Sequence, residues 1–90
     1  MSESPLACVL RIGFRHLVTA PNAEDAFEQI RALADVPLDA AAFHDAVAEA
    51  VRRGLIRDPV RLPPGSLQCH WHLELTQAGT AAARALTAQD

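Results

Sequence analysis

The sequence predicts a small α+β domain of three helices, a β-hairpin and a closing helix. Three observations carry that prediction. Residues 38–53 bear an apolar stripe at helical spacing that stops at Gly54. A Pro63-Pro64-Gly65-Ser66 turn follows. Beyond it Cys69, Trp71, Leu73 and Leu75 alternate with Gln68, His70, His72 and Glu74, the period of a half-buried strand, before Thr76 opens an Ala-rich helix.

The first segment begins with Ser4-Pro5, a cap followed by proline at the first helical position. Two readings compete for residues 6–18. Leu6, Val9, Leu10, Phe14, Leu17 and Val18 fall on one helical face, whereas Leu10, Ile12 and Phe14 alternate with Arg11, Gly13 and Arg15 as in a strand. The length of the stripe favours helix. Pro21 then breaks the chain and Asn22 caps a second helix, with acids in its first turn complementing the helix dipole. Phe27, Ile30, Leu33 and Ala34 form its inner stripe, and it ends before Val36-Pro37 because a residue preceding proline avoids the helical region.

Asp39 is the expected cap of the third helix, with Leu38 and Phe43 placed as a hydrophobic staple. Phe43, Ala46, Val47, Ala50 and Val51 face the core, and Asp45, Ala48, Glu49 and Arg52 the opposite side. Arg52 and Arg53 sit at the negative end of the dipole, and Gly54 supplies a left-handed stop. Leu55-Ile56 and Val60-Arg61-Leu62 form the first hairpin strand, interrupted at Asp58-Pro59. Residues 68–75 return, and the closing helix reaches about Leu86. Ninety residues in this order make one domain spanning 1–90, with residues 1–3 and 87–90 expected to be disordered.

Net charge is −3, which by itself weighs against a nucleic-acid partner, but its distribution is uneven. Residues 22–49 carry Glu24, Asp25, Glu28, Asp35, Asp39, Asp45 and Glu49 against Arg31. Residues 52–61 carry Arg52, Arg53, Arg57 and Arg61 against Asp58. No basic leader followed by an apolar run opens the chain, and no apolar run approaches the roughly 20 residues of a membrane span, so a cytoplasmic protein with no membrane partner is expected. Cys8 and Cys69 have no metal spacing; both the disulfide and the reduced state stay open, with reduced core thiols favoured.

Several segments resemble the winged helix-turn-helix family of bacterial regulators. Leu33-Ala34-Asp35-Val36 resembles the end of the first helix of the turn unit. Ala46 to Ile56 is similar to the back half of a recognition helix entering the first wing strand, and Leu75-Thr76-Gln77-Ala78-Gly79 to the Leu-Thr-x-x-Gly that often follows the wing. The match covers about residues 23–86. It implies a winged-helix fold and a small stand-alone DNA-binding module of the transcription-regulator kind, acting on double-stranded DNA as a homodimer. On that implication Arg52, Arg53, Arg57 and Arg61 contact the phosphate backbone, while His44 and Asp45 make any base contacts. The chain departs from the family where base reading occurs: Ala40, Ala41, Ala42, His44 and Asp45 hold the first turns of the recognition helix.

Other readings accompany this one. Arg11 and Arg15 extend the cationic set, while Arg52 and Arg53 also have Glu49 as a partner one turn back. A non-catalytic adaptor that binds protein through the acidic helix face or an exposed Trp71 edge is the alternative function. His70 and His72 have ligand spacing on one strand face, but a metal needs three or four convergent donors and no site is assigned. No Gly-rich phosphate loop and no grouping of Cys, His and carboxylate appears, so neither an enzyme nor a cofactor is expected.

Overall fold

The computed structural model describes residues 4–34, 37–61, 65 and 70–88. Among them the chain runs α1 (Pro5–Arg15), β1 (Val18–Ala20), α2 (Ala23–Leu33), α3 (Ala40–Arg52), β2 (Val60–Arg61), β3 (His70–Leu73) and α4 (Gln77–Ala88). It is an α+β arrangement of helices packed on a small antiparallel sheet.

Every helix starts at a side chain that satisfies one of the amides a helix leaves without an internal acceptor. Ser4 Oγ accepts from the Ala7 amide (3.2 Å), Asn22 Oδ1 from Asp25 (2.8 Å), Asp39 Oδ1 from Ala42 (2.7 Å) and Thr76 Oγ1 from Gly79 (3.1 Å). The expected caps of α1, α2, α3 and α4 are therefore the observed ones. Gly54 stops α3 in the left-handed region with φ +72°.

The first segment is helical, but it ends three residues earlier than its apolar stripe suggests. His16 is the C-cap of α1, and Val18–Ala20 turns outward into a strand. Leu17, assigned to the helical stripe, is 90% exposed, and Phe14 is also exposed. A three-residue strand is too short for its period to stand out from the helix before it. What commits it is pairing: Val18 lies opposite Leu73, Thr19 opposite His72 and Ala20 opposite Trp71. Gly13, which had favoured a strand, instead lets α1 approach the sheet. A Cβ there would meet the Leu73 and Leu75 side chains at 3.1–3.2 Å.

Strand β3 is the centre of the sheet, with β1 on one side and β2 on the other. Val60 pairs with Trp71 and Arg61 with His70. The same register continues through an isolated bridge between Ile56 and Leu75. Between these points the Arg57 amide donates to Glu74 O (3.0 Å) and the His72 amide to Pro59 O (2.9 Å). Residues 56–61 thus run beside β3 with a break at Asp58-Pro59, as the sequence indicates. The expected turn at 63–66 and Cys69 lie outside the described residues, apart from Gly65.

The core joins three elements through aromatic rings. Phe43 of α3 is fully buried, with the Phe27 ring of α2 at 5.3 Å and the Trp71 ring of β3 at 5.8 Å, both tilted. Leu38 and Phe43 are both in this cluster, as the staple requires. Trp71 is only 4% exposed, which removes the exposed Trp71 edge as a docking surface: β1 and β2 flank it and Phe43 covers it. Val51 and Leu33 are exposed rather than buried, each in the last turn of its helix where the inward stripe runs out. At the C-terminus α4 continues to Ala88, so residues 87 and 88 are helical rather than disordered, while residues 1–3 and 89–90 lie outside the described residues.

Where the hairpin meets α4, two hydrogen bonds and one missing side chain close the structure. Thr76 Oγ1 donates to Gly54 O at 2.6 Å, and the Thr76 amide donates to Leu55 O at 3.0 Å. Gly79 sits where any Cβ would overlap the Leu55 carbonyl oxygen. The Leu-Thr-x-x-Gly segment therefore has a physical reason: threonine bridges two helix ends and glycine makes room for the backbone between them.

Gly79→Ala is expected to lower unfolding free energy by about 3 kcal/mol, because the obstacle is backbone and cannot rotate away. Gly54→Ala, which faces open space and suffers only its positive φ, is expected to cost about 1 kcal/mol. Urea unfolding of both variants checks this, and equal midpoints would contradict the close approach at Gly79. Phe43→Ala is expected to cost about 3–5 kcal/mol in the same assay.

Candidate nucleic-acid interface

Helix α3 is held by its buried side, Phe43, Ala46 and Ala50, which fixes what it presents outward. At about 100° per residue the outward face carries Ala40, Ala41, His44, Asp45, Ala48, Val51 and Arg52, all exposed. His44 lies over the buried ring of the preceding residue, with its centroid 5.5 Å from Phe43 in an edge geometry. Asp45 points to another flank. Together with Glu49 it lines a shallow depression whose far wall is Ser4, Pro5 and Leu6 at the start of α1. His44 and Asp45 are thus neighbours in sequence on different sides of the outward face.

The arginines gather at the C-terminal end of α3 and the strand that follows. Arg52 and Arg53 both pair with the Glu49 carboxylate, Arg53 through Nε to Oε1 at 2.6 Å. One acid one turn back thus neutralises part of a pair of cations, and the pairing read from the sequence is present. Arg57 Nε reaches Glu74 Oε2 at 3.4 Å across the hairpin. Glu74 was not singled out as a partner in the sequence, although its place follows once the register sets residue 57 opposite 74. The guanidinium-bearing side chains of Arg52, Arg53 and Arg57 are 71%, 59% and 65% exposed. Arg61 follows on β2, with its backbone paired to His70 and its side chain outside the described residues.

The structure therefore brings Arg52, Arg53 and Arg57 to one region, the junction of α3 with the hairpin. His44 lies two turns away on α3, roughly 12 Å along its axis. Arg15 lines a depression together with Glu74, the partner of Arg57, whereas Arg11 does not join this group. Arg11 Nη2 donates to Leu86 O at 3.2 Å, near the end of α4, whereas the Arg52–Arg57 junction abuts the start of that helix at Thr76. Ten residues of helix separate the two places by roughly 15 Å.

Elsewhere on the surface α2 exposes Glu24, Asp25 and Glu28, the last paired with Arg31 at 2.6 Å. The His70 and His72 rings lie 6.4 Å apart, and among the described residues no third His, Cys, Asp or Glu completes a group that could hold a metal ion. Cys8 is buried in α1. Among the described residues no helix is long and apolar enough to cross a membrane.

No family model matches the chain, and no curated protein matches it. Among solved structures the chain is similar to SSV1 F-93, with a TM-score of 0.69 and 24% sequence identity over 98% of this chain and 87% of that one. At that identity the likeness is one of fold, and it spans nearly the whole of both chains.

Proposed function

We propose that the chain is a winged-helix module that binds duplex DNA in the manner of a transcription regulator, with α3 as its recognition helix and residues 55–75 as its wing. The observation that carries this reading is the group of exposed arginines at the junction of α3 and the hairpin. Arg52, Arg53 and Arg57 contact phosphates there, joined in this reading by Arg61 of β2, and the planar arginine fork suits bidentate hydrogen bonds to phosphate oxygens. Their present carboxylate partners do not forbid this. Exposed ion pairs are worth about 0.2–1 kcal/mol, so a phosphate can take an arginine from Glu49 or Glu74 at small cost. Both carboxylates nevertheless remain beside the polyanion and weaken its binding.

Base contacts in this reading fall to His44, and to Asp45 as an acceptor from cytosine. With four phosphate contacts and at most two base contacts, one module binds weakly, and a homodimer on two half-sites supplies the rest. The fold likeness to SSV1 F-93 supports the architecture assumed here. A second reading, an adaptor that docks on a basic protein, draws on the exposed acids of α2 and on the neutralisation of Arg52, Arg53 and Arg57 by Glu49 and Glu74. The acidic face alone carries it, since Trp71 is buried.

Fluorescence anisotropy with labelled duplex DNA separates the two. On the DNA reading, log K falls against log salt with a slope of about −3.6 per module, and Arg57→Ala reduces that slope by about 1. Absence of binding at low salt, or a slope that Arg57→Ala leaves unchanged, would count against it. Glu49→Gln is expected to tighten DNA binding by a few-fold to about tenfold, because it frees two arginines and removes a repelling charge. The same variant should lose less than about 1 kcal/mol of stability in urea unfolding, since both pairs it breaks are exposed.

A further inference from the structure

Two of the large apolar side chains that the fold leaves exposed stand together, Phe14 in the last turn of α1 and Leu17 just beyond it. Leu17 is held outward by the strand that follows. Alternation along the chain turns Val18 into the core and therefore Leu17 away from it. The exposed Leu33, Val51 and Val60 lie on three separate elements, and apolar residues scattered singly are ordinary on a surface. Phe14 and Leu17 differ because both line one open depression of about 460 Å³. Leu73 and Leu75, brought against α1 at the bare Gly13, continue its apolar lining.

A projecting leucine beside an apolar depression is a surface that fits its own copy. A twofold axis brings the same patch of two copies together, so every contact forms twice and reciprocally. Leu17 of each copy then enters the depression of the other. Charge does not oppose this. Arg15 and His16 lie on the α1 side of the depression and Glu74 on the strand side, so each copy brings both signs and the axis can set cation against anion. A rim of one sign would oppose like charges instead. Glu74 keeps Arg57 as its partner within the chain, and an exposed pair of that kind is shared at small cost. We propose that the chain self-associates as a twofold dimer through this face, with Phe14 and Leu17 of each copy seated on Leu73 and Leu75 of the other. The patch is smaller than the roughly 20–30 residues a side of a standard interface, so the dimer is weak in free solution. Two half-sites holding both copies close together tighten it. The dimer supplies the second copy that the DNA reading calls for; it rests on that reading for its purpose, and its formation requires no DNA.

The test is sedimentation equilibrium of the full chain without DNA, from about 10 µM to about 1 mM, with amide chemical shifts followed over the same range. A monomer–dimer equilibrium with a dissociation constant on the order of 100 µM is expected, with shifts at residues 13–17, 73–75 and 80. Leu17→Asp, at a position 90% exposed, should keep the urea midpoint of the dilute chain and raise the dissociation constant at least about tenfold. Val60→Thr trims another exposed apolar side chain outside the depression and should leave self-association unchanged. A chain that stays monomeric throughout, or equal weakening by both variants, would overturn the proposal. So would concentration-dependent shifts centred on α3 or β2, or shifts at residues 13–17 that arise only when a different protein is added. The DNA reading is scored separately. A monomeric chain that binds duplex with the salt slope given above loses the dimer and keeps the DNA module, whereas a dimer that binds no duplex at low salt does the reverse.

Discussion

The arrangement depends on the small knot of backbone where α3 ends and α4 begins. Gly54 turns the chain out of α3 in a conformation that other residues adopt only with strain. Thr76 then fastens the end of α3 to the start of α4 with two hydrogen bonds, to Gly54 O and to Leu55 O, while its hydroxyl caps α4 by accepting from the Gly79 amide. The bare Gly79 lets the Leu55 carbonyl pass against the first turn of α4. Because Arg52 and Arg53 precede this knot and Arg57 follows it, the knot decides that they project from one place. It also sets the start of the β-pairing at Ile56–Leu75, and with it the register that brings Arg57 to Glu74. Packing around Phe43 holds α3 on the sheet, but the knot fixes how α3 is joined to the hairpin.

Charge and geometry pull in opposite directions on the outer surface. The geometry gathers cations at the α3–hairpin junction, while Glu49 and Glu74 hold each of those described. An α3 face made largely of alanine adds little hydrogen-bonding capacity. A module built this way relies on backbone contacts and on duplication more than on a dense set of base contacts.

What was legible in the sequence was whatever has a local cause. Ser4, Asn22, Asp39, Gly54 and Thr76 mark helix ends because capping is chemistry between near neighbours, and each was found in its expected place. The hairpin break at Asp58-Pro59 was legible for the same reason. Features set by partners distant in sequence were not. Val18–Ala20 is a strand because β3 lies beside it, and nothing within three residues announces that. Gly13 suggested strand locally, and only the approach of Leu73 and Leu75 explains it. The Arg57–Glu74 pair required the register, and the separation of Arg11 from the Arg52–Arg57 junction required the course of α4. Val51 and Leu33 fit their helical stripes but sit where those stripes leave the core.

The single tryptophan acquires a use from its surroundings. Its indole is sealed between two neighbouring strands and stands in ring contact with the residue that anchors α3. Ultraviolet emission from the unlabelled chain therefore originates at the seam between that helix and the sheet. Any event that shifts the helix against the sheet has an intrinsic optical signal, and events confined to the outer arginines should leave the emission dark to them.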